Sequence, residues 1–294
     1  MGILLGLLTA LSWGSADLCA RFATRKIGTF LTMLYMQLTG FLLLTLALPW
    51  LGGLRHLADG SGITPWAWGI LAGIINTAGT LALYRSFEIG KMSVVAPISA
   101  GYPALTMLLA ASTGEHLTAL RIAGCVLILF GVIIVARGEE LPQDANPLAD
   151  PQRPAKKHLG VGWALLSSLM FGVMFWLLGI RVIPIIDSAQ TVWVIRLTSV
   201  ILTASIMLAT GRRLRLPPNG AKPWLLGVGL LDTGAYVLNN YGMQLEQVSV
   251  VSVLASLYGA VTVALAALLL HEKIATSQWL GIVSIFAGIL LISH

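Results

Sequence analysis

The sequence predicts an all-α integral membrane protein of ten transmembrane helices, arranged as two five-helix repeats of opposite topology. Three observations predict it. The chain is 57% hydrophobic and only 10% charged, with a mean hydropathy of +0.86, far from the composition of soluble domains. Its apolar runs have about the length, roughly 20 residues, that a helix needs to cross a hydrocarbon core of about 30 Å. The second half of the chain also repeats the first in sequence, after an odd number of spans.

The first span is expected at 3–20. Met1-Gly2-Ile3 runs straight into it without the basic start or small-residue cleavage site of a signal peptide, so the N-terminus is expected to be retained. It carries Gly6, Ala10, Trp13 and Asp17 at helical spacing and ends at Arg21 and Arg25. The next four are expected at 29–51, 64–84, 92–113 and 119–137. The third presents Gly69, Gly73, Asn76, Thr80 and Tyr84 on one face, and the fourth contributes Tyr102. Residues 138–158, with "LPQDANPLADPQRPAKK", are rich in Pro, Asp and Lys and read as a solvated linker. Spans six to ten follow at 159–183, 187–210, 223–243, 248–270 and 276–293. The domain organisation is therefore a first repeat at 1–137, the linker, and an inverted second repeat at 159–294.

The repeat is collinear across several helices. "GEHLTALRIAGCVLILFG" aligns with "HEKIATSQWLGIVSIFAG", matching Glu115 with Glu272, Gly124 with Gly281 and Gly131 with Gly288. Upstream, Ser93-Val94-Val95 meets Ser249-Val250-Val251, Tyr102 meets Tyr258, "TPWAWG" meets "KPWLLG", and Trp13-Gly14 meets Phe171-Gly172. Five spans per unit is odd, so the second unit enters the membrane in the opposite sense. Of the 18 Lys and Arg residues, 14 fall on the linker's side, three on the other (Arg55, Arg121 and Arg181), and Arg196 lies inside a span. By the positive-inside rule the linker is cytoplasmic and both termini are outside, in a cell inner or plasma membrane.

The net charge of +6 does not signal a nucleic-acid partner, because the basic residues sit in short segments between apolar runs. Cys19 and Cys125 form neither a disulfide framework nor a metal-ligand spacing, and read as packing residues. The five histidines fall at span ends or in loops, with no clustered carboxylates and no GxSxG, so neither an enzyme, a metal nor a cofactor is expected. "GVGLLD", Gly227 to Asp232, lacks the strand-turn-helix setting of a dinucleotide site.

The duplicated five-helix unit, the Glu-Gly-Gly pattern closing each repeat and the Ser-Val-Val entry to helices four and nine resemble the drug/metabolite transporter superfamily, in its ten-helix EamA-type branch. The resemblance spans nearly the whole chain. Family helix four often carries a central proline, matched by Pro97 or Pro103, whereas Gly259 stands at the second-half position of Pro103. The resemblance implies a secondary transporter exporting small metabolites such as amino acids, with a cavity lined by helices one, three, four, six, eight and nine. Aromatic amino-acid exporters belong to this branch. A passive channel, or an exporter of drugs or nucleosides, is the alternative.

The stretch "LLDTGAYVLNNYGM" puts Asp232, Tyr236, Asn239 and Met243 on one helix face. An Asp at the bilayer centre costs about 2.5–3.5 kcal/mol on insertion scales, so this face should meet the bundle interior or a wet cavity. The candidate substrate-binding set is Trp13, Asn76, Tyr84, Tyr102, Trp163, Tyr236, Asn239, Asn240, Ser256 and Tyr258, with further serines of helix nine at Ser249 and Ser252. Amides and hydroxyls would bind a polar headgroup and aromatic rings would form walls. Asp17 and Asp232 are candidates for proton coupling, although Asp17 also has the spacing to pair with Arg21. Arg196 is expected outside the cavity-lining set, paired with an acid or snorkelling. Glu115 and Glu272 are expected to cap helices. The expected partners are thus a small-molecule substrate, the lipid bilayer and protons.

Overall fold

In a computed structural model, residues 2–57, 59–60, 62–114, 118–137, 160–245, 251 and 254–292 are described. The expected linker, with Glu115, His116, Ser249, Ser252, His158 and His294, lies outside them, as do the side chains of Met243 and Gln244. Among the described residues there are ten helical segments: α1 (Gly2–Ile27), α2 (Thr29–Ala47), α3 (Thr64–Ile89), α4 (Met92–Ser112), α5 (Ala119–Arg137), α6 (Val161–Val182), α7 (Ser188–Ala209), α8 (Lys222–Leu245), α9 (Leu254–Leu269) and α10 (Thr276–Ile292). Six of them, α2 to α7, are long and apolar enough to cross a membrane. α1 and α8 have the length, 26 and 24 residues, and are the two that carry the acids of the interior. The outer surface is apolar, with Val126, Leu280 and Val283 each at least 60% exposed, as expected where the solvent is lipid.

The helices pack in pairs that follow the repeat. α1 packs on α8 and α3 on α6, the crosswise equivalents, while α2 packs on α7, α4 on α9 and α5 on α10. The last pair rests on glycine. A Cβ at Gly124 would lie 2.7 Å from the Gly288 carbonyl, and one at Gly131 would lie 2.5 Å from the Gly281 carbonyl. Rising numbers on α5 meet falling numbers on α10, so the helices run antiparallel and their backbones touch where any larger residue would hold them apart.

α4 is two helical pieces, Met92–Ala100 and Pro103–Ser112, separated by a turn at Gly101 and Tyr102. Tyr102 keeps helical dihedrals, φ −52° and ψ −29°, but Pro103 has no N–H to give to the carbonyl one turn back, which is why the hydrogen-bond ladder breaks there. α9 also has a turn at Leu257, ahead of the helix from Tyr258, although Gly259 takes the place of the proline. Tyr102 and Tyr258, aligned by the repeat, thus both sit at helix breaks. Irregular backbone at this depth is tolerated where it is buried in protein or lines a cavity.

The two ends differ in charge. At one, Lys26 Nζ donates to the Gly220 carbonyl at 2.8 Å, the Tyr35 hydroxyl donates to the Arg215 carbonyl at 2.9 Å, and Arg212 lies over the Phe30 ring at 4.2 Å. Arg21 Nη1 donates there to the carbonyls of Phe87 and Gly90, and its Nη2 lies 3.4 Å from Glu272. Glu272 does cap a helix, though not its own: it accepts from the Met92 and Ser93 amides at 3.2 and 2.9 Å and from the Ser93 hydroxyl at 2.8 Å. One carboxylate of the second repeat thus holds the start of α4 in the first. At the other end Asp187 caps α7 through the Gln190 amide at 2.9 Å and pairs with Arg55 at 3.3 Å.

The α5–α10 contact yields a stability prediction. Gly131→Ala places a methyl against a backbone carbonyl and is expected to cost about 1–3 kcal/mol by overpacking. Gly162→Ala, whose Cβ would meet nothing within 4 Å, is expected to leave stability unchanged or raise it. Thermal unfolding in detergent micelles compares the two, and equal midpoints would mean that the helices can separate at no cost.

Candidate functional site

A central cavity lies where α1, α3, α4, α6, α7, α8 and α9 converge, with about 50 Å3 of space that a water-sized sphere can reach. That is well below the roughly 300–1,000 Å3 of small-molecule sites, so its walls stand close together in this conformation. One side is aromatic. The Trp13 ring meets Tyr236 edge-on at 5.1 Å and Tyr258 at 5.8 Å, and Tyr102 stacks on Phe175 at 4.8 Å. The other side is ionic. Arg196, 1% exposed, pairs through Nη2 with Asp232, donates through Nη1 to Gln37 Oε1 at 2.7 Å, and lies 5.2 Å over the Tyr236 ring. Gly40 of α2 makes room for this group: a Cβ there would lie 2.2 Å from Thr233 Oγ1 and 3.1 Å from Arg196 Nε. The Tyr236 hydroxyl donates to Asn76 Oδ1 at 3.2 Å. Asn76 is in turn 3.5 Å from Ser199 Oγ, which fastens α3 between α7 and α8.

Asp17 faces the cavity from α1 without a cation beside it among the described residues. Its Oδ2 is 2.8 Å from the Thr262 hydroxyl, which is also 2.9 Å from the Tyr258 carbonyl. Thr262 has one proton for these two acceptors. When Asp17 is ionised the hydroxyl donates to it; when Asp17 is protonated it donates to Thr262, whose own proton turns to the Tyr258 carbonyl. Both states are satisfied by one hydroxyl rotation.

Trp13, Asn76, Tyr84, Tyr102, Tyr236 and Tyr258 border the cavity, as do Asp17 and Asp232. Four candidates do not. Trp163 is 45% exposed on the first turn of α6, roughly 12–18 Å along the helix from the cavity residues Phe171 and Phe175, and it lines a separate crevice. Asn239 and Asn240 lie about a turn beyond Tyr236; they are buried, with Asn239 Nδ2 3.4 Å from Asn240 Oδ1. Ser256 is fully buried on the far side of the α9 turn from Tyr258. Arg196, expected outside, forms part of the wall. The expected Asp17–Arg21 pair gives way to Thr262 because Arg21 is drawn to the α3 carbonyls and Glu272. A usable signal for Arg196 was present in the sequence: it lies roughly 20 Å into its helix from the basic end and Asp232 roughly 15 Å into its own, so the two match in depth within about a turn. Gln37, Gly40 and Thr262 are polar or small residues in otherwise apolar helices and carried no distinguishing pattern.

The lining follows the repeat. Continuing the alignment from Trp13 over Phe171 sets Asp17 over Phe175. With Tyr102 over Tyr258, three aligned pairs contribute both members to one cavity. The cavity therefore lies at the repeat interface, where inverted-repeat transporters bind substrate.

The model of the EamA-like transporter family matches residues 1–137 and again 158–294. The chain belongs to the EamA-like transporter family. An uncharacterized protein of Methanocaldococcus jannaschii is 30% identical over 135 residues, which is 46% of this chain and 95% of the relative, so that relative has the length of one repeat. A solved crystal structure of 16% identity superposes at a TM-score of 0.68 over 99% of this chain and 95% of its own, a likeness of fold. The EamA-like chain is thus a multi-helix membrane protein of a family of small-molecule transporters, and membership implies transport rather than enzymatic chemistry.

The Arg196–Asp232 pair yields a prediction of coupling. Arg196→Gln alone strands a buried carboxylate and is expected to cost about 3–5 kcal/mol, whereas Arg196→Gln with Asp232→Asn is expected to recover much of that loss. Unfolding in micelles, read as a double-mutant cycle, checks it; additive losses would mean that the two groups do not hold each other.

Proposed function

We propose that this EamA-like protein is a secondary active transporter that exports amino acids with aromatic or large apolar side chains by alternating access, in exchange for protons. The observation that carries the reading is that a cationic group, two carboxylates and an aromatic wall border one cavity. A zwitterion needs a cation for its carboxylate and an anion for its ammonium, and Arg196 with Asp17 or Asp232 supplies both. The apolar side chain then lies against Trp13, Tyr102 and Phe175, where the rings offer apolar area and edge-to-face or stacked contact.

Of the two acids, Asp17 suits the proton better. Asp232 is already engaged by Arg196, while Asp17 has a partner in either state through Thr262. A proton and a substrate ammonium would neutralise the same carboxylate, so each displaces the other, which is the requirement for exchange. The clustering of arginines and lysines at one end supports an orientation with that end and the linker in the cytoplasm and both termini outside, in a cell inner membrane.

Purified protein in proteoliposomes is expected to accumulate phenylalanine, tryptophan or leucine against a gradient when a pH difference is imposed, with aspartate and lysine as poor substrates. Asp17→Asn is expected to abolish the pH-driven component while leaving substrate-for-substrate exchange in part. Equal pH-driven transport in parent and variant would remove Asp17 as the carrier, and flux that never exceeds equilibration would replace the transporter with a channel. A cysteine at position 146 is expected to react only with reagents that cross to the cytoplasm, and one added after His294 from outside; the reverse labelling inverts the orientation.

A further inference from the structure

A second, wider crevice opens at the basic end between the starts of α2 and α6, the end of α3 and the segment after α7, with about 970 Å3 of space that a water-sized sphere can reach. It is far roomier than the central cavity and stands at the upper end of the roughly 300–1,000 Å3 of small-molecule sites. Its chemistry is divided by depth. Arg85, Arg212, Arg213 and Arg215 line it, and the acid in the lining is Glu88. Glu88 is already engaged, 2.9 Å from Arg85 and accepting from the Thr29 hydroxyl at 2.6 Å, so the arginines that follow α7 leave a local excess of positive charge among the described residues. The rest of the wall is hydrocarbon and indole: Leu81, Trp163, Leu166 and Met207. Trp163, which does not reach the central cavity, stands in this one with its ring part exposed on the first turn of α6, the depth at which indoles partition in a bilayer.

We propose that this crevice is a binding site for an anionic glycerophospholipid, with its phosphate among Arg212, Arg213 and Arg215 and an acyl chain along Trp163, Leu166 and Leu81. Charge complementarity selects the headgroup, since each arginine donates planar paired hydrogen bonds that suit a phosphate. The apolar floor distinguishes a lipid from a free anion, which would gain nothing from it. A basic pocket between transmembrane helices, with an apolar continuation into the bilayer, is the general form of such sites.

The test is native mass spectrometry of the full-length protein from detergent, with equal amounts of phosphatidylglycerol and phosphatidylcholine of matched chains. The parent is expected to retain phosphatidylglycerol by roughly tenfold over phosphatidylcholine. Arg212→Gln with Arg213→Gln and Arg215→Gln is expected to bring that ratio near one, whereas Lys222→Gln with Lys273→Gln, basic residues at the same end but outside the crevice, is expected to keep it. An equal loss in both would overturn the site in favour of diffuse charge attraction, and displacement of the lipid by a large excess of inorganic phosphate would overturn it in favour of a free-anion site.

A second measurement needs no arginine variant. In bilayers containing brominated chains, the part of the fluorescence lost in Trp163→Phe is expected to be quenched more by brominated phosphatidylglycerol than by brominated phosphatidylcholine. Equal quenching overturns the proposal. An absence of quenching together with no lipid preference also overturns it, and points to the acidic residues of the linker, such as Glu139 and Glu140, as the occupant.

Discussion

A charge inside an apolar bundle must have a partner, and the centre of this molecule is organised around that constraint. Arg196, on α7, cannot stay ionised within the helices unless an anion and further acceptors surround it. Asp232 comes from α8 and Gln37 from α2, and Gly40, having no side chain, lets α2 come close enough. Three helices are thereby fixed in rotation and depth by one guanidinium. The same cation lies over Tyr236, whose hydroxyl reaches Asn76 on α3, so the ionic wall and the aromatic wall are set by a single chain of contacts. Replacing such a pair by apolar residues can leave a protein as stable or more so. Its retention is better understood through what a paired but reachable charge offers a solute.

Around that centre the outer helices supply rigidity by a different means. α5 and α10 meet through backbone contact at four glycines, away from the cavity, and neither helix lines it. The helices that do line it include the two that break, α4 and α9, and the broken segments bring Tyr102 and Tyr258 to the same chamber. Stiff pairing at the periphery and interrupted helices at the centre are complementary arrangements: backbone contact ties the outer pair, while the broken helices carry ring side chains to the cavity.

Much of this was legible in the sequence because it depends on properties that act one residue at a time. Hydropathy located most helices to within a few residues, apart from α1 and α3, whose charged ends extend to Ile27 and Ile89, and the collinear repeat identified Gly124, Gly131, Gly281 and Gly288 as equivalent positions. Residues on one face of α3, Asn76, Thr80 and Tyr84, do border the cavity together. What could not be read is where along each face the cavity begins and ends. Asn239 continues the helical spacing of Asp232 and Tyr236, but a helix face is much longer than a binding site. Trp163 shows the same ambiguity, for an indole suits an interface as well as a substrate wall. Arg196 reads as outside because the lining helices that the resemblance implies leave out helix seven; its depth matches that of Asp232, but which faces of the two helices meet is a property of packing, not of spacing.

The repeat-related lining has a further consequence, for how a site of this kind can become specific. Two identical five-helix chains around a two-fold axis would present every lining group twice: an aspartate at the position of Asp17 would face a second aspartate, and an arginine a second arginine. Joining two units in one chain removes that restriction. Here the partner of Asp17 is Phe175, so the acid is matched by a ring and not by a second acid. The scaffold keeps its approximate symmetry while the chamber acquires a head and a tail, which is what orienting a molecule with two different ends requires. Fusion of the halves is thus the step that allows a symmetric fold to recognise an asymmetric solute.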